Sequence, residues 1–505
     1  MSAILLLFLV SVGGLWFFSS LLSLFRNKTG NKDVQQLMPP GPKGLPVIGS
    51  LHMLGNLPHR ALQSLAKKYG PIMNIWLGMV PTIVISSAEW AEIFLKNNDL
   101  VFSSRDQHEA CKFISYGGKG LVFASYGSYW RNIRKLCTVQ LLSNSKTEFF
   151  KPMRTEEMAH FVGSLRVAAK ARSEVDLTSK VGLLIQDMTY RMIFGFKDDR
   201  SNIRSSIEES LTLIGLFNIA DYIPFLKPFD PQGIGRQMKN ISKVIDEFLE
   251  NIIDEHMVDA TSLQGQHRDF IDVMLSLMDS NDTQEHPLAR DNIKAIILDM
   301  FAAAMDTTST VIVWTLSELC RHPRVMRLVQ EELNSVVGLD RTVEEVDLEK
   351  LEYLQLVIKE SMRLHPVVSL IPRVSIKDIE INGYFLPKMS KIQINTWAIG
   401  RDPDVWSSNA HEFYPERFAG TSIDVLGCDF QFLPFGSGRR RCPGLHLASR
   451  VVELVVAQLV HCFDLELPHG VSPDDLDMSE TFGLTMPRTQ HLLAIPSYRI
   501  RNSSN

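Results

Sequence analysis

Two prolines, Pro287 and Pro323, bracket 35 residues that read as one uninterrupted helix. At about 1.5 Å per residue such a helix approaches roughly 50 Å, enough to cross a whole domain. Its apolar side chains, among them Ile296-Ile297-Leu298 and Val311-Ile312-Val313-Trp314, run nearly all the way round, so it belongs at the centre of the protein, covered on every side. The other elements must pack around it. From about residue 125 to 370 the apolar spacing is mostly three and four, the helical period. Gly70 to Gly78 and Thr82 to Ser86 read as a strand pair, Ser87-Ala88-Glu89-Trp90 opens a helix, and Ile379 to Tyr384 returns to strand. The expectation is a mainly α protein with small β-sheets.

The chain has 505 residues, a formal charge of −5 and no visible internal repeat. That balance argues against nucleic acid as the main partner, since such domains carry a basic excess. Six cysteines (Cys111, Cys137, Cys320, Cys428, Cys442, Cys462) form no CxxC pair, which suits free thiols in a reducing compartment. Residues 1–25 have no charged side chain and are long enough to span a bilayer as one helix. A cleaved signal peptide would have a basic start and a small-residue cleavage site, so an uncleaved anchor is expected. Arg26, Lys28 and Lys32 follow it and place the remainder in the cytosol. Pro39-Pro40-Gly41-Pro42 then makes a stiff connector. The expected organisation is an anchor at 1–25, a basic and proline-rich hinge at 26–46, and a catalytic domain at 47–505.

Near the C-terminus lies Pro434-Phe435-Gly436-Ser437-Gly438-Arg439-Arg440-Arg441-Cys442-Pro443-Gly444. Glycines let a large planar group approach the backbone, and cations keep a sulfur deprotonated. The spacing Phe435-x-x-Gly438-x-Arg440-x-Cys442-x-Gly444 resembles the haem-binding signature of cytochromes P450. The resemblance implies that fold, with an N-terminal transmembrane anchor, and haem b held by Cys442 as the axial thiolate.

Other motifs follow in the family's order. Ala303-Ala304-Met305-Asp306-Thr307-Thr308, inside the long helix, looks like the oxygen-activating motif, with Asp306 and Thr307 relaying protons. The commonest pattern has glycine where this chain has Ala304, and alanine resists local unwinding slightly. The bland alternative is that Thr307 and Thr308 only bond back to carbonyls one turn earlier. Glu360-Ser361-Met362-Arg363, together with Arg417 in Tyr414-Pro415-Glu416-Arg417-Phe418, resembles the Glu-x-x-Arg lock, a structural role. Trp130 and Arg134, one helical turn apart, with Arg373 and Arg440, match the family's haem-propionate ligands; Arg105 is a weaker candidate by position alone. Arg131, Arg134, Lys135, Arg439, Arg440 and Arg441 would also steer an acidic redox partner.

The resemblance is to the plant microsomal A-type group (71 clan). It implies a monooxygenase at the endoplasmic reticulum membrane, single-pass, using O2 and NADPH electrons from a cytochrome P450 reductase. Segments outside the universal motifs should contact substrate, and Phe113, Phe217, Phe301, Ala303, Val367, Val368, Leu370, Phe482 and Leu484 would make an apolar pocket. It suits a hydrophobic specialised metabolite, a terpenoid first and a phenolic or flavonoid second. Two other classes stay open: a reductase-independent isomerase or dehydratase of the same fold, against which the Asp306-Thr307 pair argues, and a non-catalytic haem sensor.

Overall fold

The computed structural model describes Gly13 and residues 38–106, 108–197, 203–260, 269–279 and 287–501. The expected anchor at 1–25, apart from Gly13, and most of the hinge lie outside these residues. The chain divides into two units, interleaved along the sequence.

The first unit comprises Met1–Asp106, Asn218–Gln232 and Leu370–Ala398. Helix α1 (Pro58–Tyr69) starts with proline at its first position, where no intrahelical donor is needed. Strands β1 (Ile72–Leu77), β2 (Val80–Ile85), β3 (Leu370–Val374) and β4 (Lys391–Asn395) form a sheet in the order β1-β2-β4-β3. β2 runs parallel to β4, with Thr82 opposite Lys391, and the other pairs are antiparallel. Alternate apolar residues Met73, Ile75, Leu77 and Val84 close a small core over Leu62 of α1. Gly78 turns the first hairpin at φ 60°, and a Cβ there would lie 2.5 Å from the Tyr222 carbonyl oxygen, so only glycine fits. The expected connector is more than a spacer at its end. Pro40 accepts from Asn74 N–H of β1 at 2.9 Å. The strand expected from Ile379 is a hairpin, Ile379–Ile381 with Tyr384–Leu386, closed by Asn382-Gly383 with positive φ at both.

The second unit comprises Gln107–Phe217, Gly233–Ser369 and Ile399–Asn505. The elements that carry its chemistry are α2 (Ser128–Leu136), α3 (Leu177–Phe194), α4 (Ile203–Gly215), α5 (Arg290–Arg321), α6 (Glu352–Leu364) and α7 (Leu445–Cys462). The expected rod is α5. It ends at His322, because Pro323 cannot continue it and instead starts the next helix. α3, α6 and α7 pack directly on α5. By length and composition α5 and α7 are apolar enough to cross a membrane, but 67% of each apolar window is buried within the protein, which makes them core helices. Two apolar clusters result, one including Ile312, Leu316 and Val455, the other Ile293, Ile296 and Phe301. A short three-stranded sheet (Val175–Asp176, Leu493–Tyr498, Phe463–Glu466) completes the unit. The mainly helical architecture with small sheets agrees with the sequence reading.

Candidate active site

Cys442 stands just ahead of α7, whose N-cap is Gly444. The loop before it folds back on itself: Cys442 N–H donates to the Phe435 carbonyl at 3.0 Å, and Gly436 and Gly438 take φ of 67° and 71°. Ser437 Oγ donates to the Gly427 carbonyl at 2.5 Å, and Arg441 Nη1 to the Leu426 carbonyl at 2.6 Å. Gly427 is required there, since a Cβ would lie 2.3 Å from the Gly436 oxygen. Burial pushes the Cys442 thiol up from its ordinary pKa; the Gly444 N–H and the charges of Arg134 and Arg441 pull it the other way. A coordinating metal would remove the proton outright.

Among the described residues, the one group of three His, Cys, Asp or Glu side chains close enough to hold a metal is His256, Asp269 and Asp272, and Cys442 is not in it. A structural zinc site needs four protein ligands. A lone thiol at a helix N-terminus, ringed by arginines, fits instead a metal that brings its own equatorial ligands and carboxylate side groups, which describes haem.

Trp130 and Arg134 on α2 meet this loop. Arg134 Nη2 donates to the Arg441 carbonyl at 2.6 Å. Arg440 is buried, its guanidinium 4.1 Å from the Trp130 ring centroid, and it donates to the carbonyls of Leu121 and Ala124 at 3.3 and 2.5 Å. The single donor of Trp130, its indole N–H, goes to Leu121 at 3.0 Å. Trp130 thereby braces the loop, and the guanidinium groups have five N–H donors to share. Arg373 and Arg105 belong to the first unit. Arg373 is buried on β3 and donates to the Pro372 carbonyl at 2.9 Å; Arg105 donates to the same carbonyl at 2.5 Å, and burial pushes its pKa down to about 10.

On α5, Ala303 is exposed and Ala304, Asp306 and Thr307 half-buried, whereas Phe301, Met305 and Thr308 are buried, so the polar pair sits on the one open face of this stretch. Thr307 Oγ1 donates to the Ala303 carbonyl at 2.6 Å, the back-bond of an ordinary helical threonine. Its oxygen still has lone pairs to accept with. Burial, and secondarily the Glu208 carboxylate, push the Asp306 carboxyl above its ordinary range.

Asp299, two turns earlier, escaped the sequence reading. It is 5% exposed and accepts from Val122 N–H at 2.8 Å and from Leu121 N–H, while burial pushes it up to about 7. A Cβ on Gly120 would lie 2.1 Å from its Oδ2. Asp299 thus holds the loop whose carbonyls receive Trp130 and Arg440. The available signal was a carboxylate in an apolar helix with no cation one turn away.

Glu360, Arg363 and Arg417 are brought together. Glu360 accepts from Arg363 Nε and Nη2, Arg417 Nε and the Tyr414 N–H, all at 2.8 Å, and the Glu360 and Arg363 side chains are 0% exposed. Arg363 Nη1 goes on to the carbonyls of Gly400 and Ala410.

Of the expected pocket residues, Phe217, Ala303, Val368 and Leu484 are exposed and Phe113, Val367 and Phe482 half-buried in the second unit; Leu370 is half-buried on β3 in the first. Phe301 must be corrected. It is 0% exposed, edge-on to Tyr190 at 4.8 Å and 6.0 Å from Phe194, so it fills core and lines nothing.

A family model described as Cytochrome P450 matches residues 39–494. The chain is 54% identical to Cytochrome P450 CYP736A12 of Panax ginseng over 92% of this chain and 94% of that one. It is 41% identical to desmethyl-deoxy-podophyllotoxin synthase of Sinopodophyllum hexandrum, over 94% of each, and 40% identical to Cytochrome P450 71A2 of Solanum melongena, over 92% and 94%. Among solved structures, a zebra fish cytochrome P450 with abiraterone superposes with a TM-score of 0.73 at 25% identity, covering 88% of this chain and 100% of that one.

Proposed function

The chain belongs to the cytochrome P450 family and is a haem-thiolate monooxygenase of the plant 71 clan; we propose that it hydroxylates a hydrophobic plant specialised metabolite, a terpenoid first. The observation that carries this reading is the Cys442 loop, with its half-buried thiol, helix N-terminus and converging arginines.

Haem, when bound, supplies the oxygen activation that no side chain can. Cys442 Sγ would hold it as a thiolate, and the Gly444 N–H, Arg134 and Arg441 would stabilise the anionic sulfur. Arg134 and Arg440 would supply cations for the carboxylate side groups, with Trp130 holding the Arg440 guanidinium in place. Burial and the Glu208 carboxylate hold the Asp306 carboxyl above its ordinary range, which favours its proton-bound form and suits a group that supplies a proton. Thr307 Oγ1 accepts it and passes on its own by letting go of the Ala303 carbonyl. Ala304 leaves less room for water than glycine would beside that carbonyl.

Electrons come from an NADPH-dependent reductase. Exposed Arg131, Lys135 and Arg439 give it a basic docking face. Residues 1–25 anchor the chain in the endoplasmic reticulum membrane with the remainder in the cytosol. Val367, Val368, Phe217, Phe482 and Leu484 make an apolar surround for substrate. The three phenylalanines Phe113, Phe217 and Phe482 favour a second reading, ring hydroxylation of a phenolic or flavonoid.

A panel of terpenoids and phenolics, scored for spin-state shift and then for NADPH-dependent product, tests the substrate class; conversion of a phenolic alone would overturn the terpenoid reading. Turnover without NADPH would point to an isomerase or dehydratase. Thr307→Ala should keep its haem and lose product by about a hundredfold, the usual scale for a proton-transfer group. Unchanged turnover would remove Thr307 from the relay.

A further inference from the structure

The second unit contains a bracing unit that the chemistry above does not use. Trp314, on α5 and 1% exposed, stacks its ring on His365 with centroids 3.8 Å apart and planes within 7°. His365, just past α6, shares a hydrogen bond between Nε2 and Glu318 Oε1 at 2.6 Å, and Glu318, one turn beyond Trp314, also contacts His322. His365 is thereby clamped between two groups of one helix face. The single indole N–H of Trp314 donates to the Met486 carbonyl at 2.8 Å, and Met486 N–H donates to the Val367 carbonyl at 3.0 Å.

Met486 lies in a hairpin. Thr481 N–H donates to Pro487, Thr489 N–H to Ser479, and the Thr481 and Thr489 hydroxyls meet at 3.1 Å. Arg488 ties the same hairpin to α5 a second time, through Ser317 Oγ at 2.8 Å. At the tip the backbone N of Leu484 passes so close to the end of α4 that a Cβ on Gly215 would lie 2.8 Å from it. One face of α5 (Trp314, Ser317, Glu318) therefore holds both the segment carrying Val367 and Val368 and the hairpin carrying Phe482 and Leu484.

We propose that Trp314 is a positioning residue for substrate selectivity: through Met486 and His365 it fixes the spacing between those two segments. This rests on the reading of the segments as substrate walls. Trp314 touches no reacting atom. Its indole N–H decides where two apolar walls stand relative to each other, and hence which large ligands fit.

The test uses the full-length holoenzyme in membranes and two azole probes that bind iron, imidazole and clotrimazole. Imidazole is small enough to ignore the walls; clotrimazole is not. A carbon monoxide band near that of a thiolate-ligated haem is required first in the wild type, and its absence there would defeat the functional reading without bearing on Trp314. In Trp314→Phe, which keeps a six-membered ring for His365 but loses the N–H and part of the indole's volume, clotrimazole affinity should change at least about three- to tenfold, the scale of one neutral hydrogen bond, while imidazole affinity stays within twofold. Equal changes for both probes, or none for either, would overturn the proposal. Should Trp314→Phe bind no haem, Gly215→Ala decides by the same comparison, because it pushes on the other end of the hairpin.

Discussion

At the scale of single residues, Asp299 is the most consequential side chain that chemistry alone would not assign. Its carboxyl is raised to about 7 by burial, so between the ordinary carboxyl pKa and about 7 the folded state holds a proton that the unfolded chain has lost. Its contribution therefore favours the fold at low pH and is lost as pH rises through 7, by no more than about 4 kcal/mol for a shift of this size. Asp299→Asn should flatten that slope: melting temperature measured from pH 5 to 8 should fall more steeply in wild type than in the variant. Parallel profiles would show that Asp299 is ionised throughout. Cys442, by contrast, was legible because its glycines and arginines are sequence neighbours. The partners of Asp299 are backbone N–H groups of a loop far away in sequence, and an N–H carries no residue identity to read.

At the scale of elements, α5 was legible to within two residues at its start and one at its end, since the two prolines and the apolar content constrain it from outside. Which face its side chains present was not. Phe301 and Ala303 are two positions apart, one in an aromatic core and the other open; apolarity nearly all round a helix cannot tell buried from pocket-lining. α6 shows the reverse case. Glu360 and Arg363 have the three-residue spacing of a surface pair, yet four hydrogen bonds converge on the buried Glu360 carboxylate. Removing one partner of a buried pair strands the other, at a cost of about 3–5 kcal/mol. Glu360→Gln should accordingly express with little or no haem, measured as the ratio of Soret to protein absorbance, and wild-type haem content in that variant would refute the locking role.

At the scale of the whole molecule, the mainly helical class with small sheets was readable from periodicity, and the division into two interleaved units was not. The first unit draws on three separate stretches because β2 pairs with β4, joining Thr82 to Lys391, and strand register across such a separation leaves no local trace. Membrane attachment is also a property of the whole. The two apolar helices among the described residues are two-thirds buried within the protein, and the proposed anchor is the uncharged stretch at residues 1–25. Full-length protein should stay in the pellet after an alkaline carbonate wash and a chain starting at residue 26 should be released; release of both would exclude a spanning anchor. The central claim is that Cys442 is the thiolate that holds haem, and the most direct measurement is the carbon monoxide difference spectrum of the reduced protein beside that of Cys442→Ser. A thiolate-type Soret band in wild type, absent in the folded variant, is predicted; a histidine-type band in wild type, or the same thiolate band in both, would contradict it.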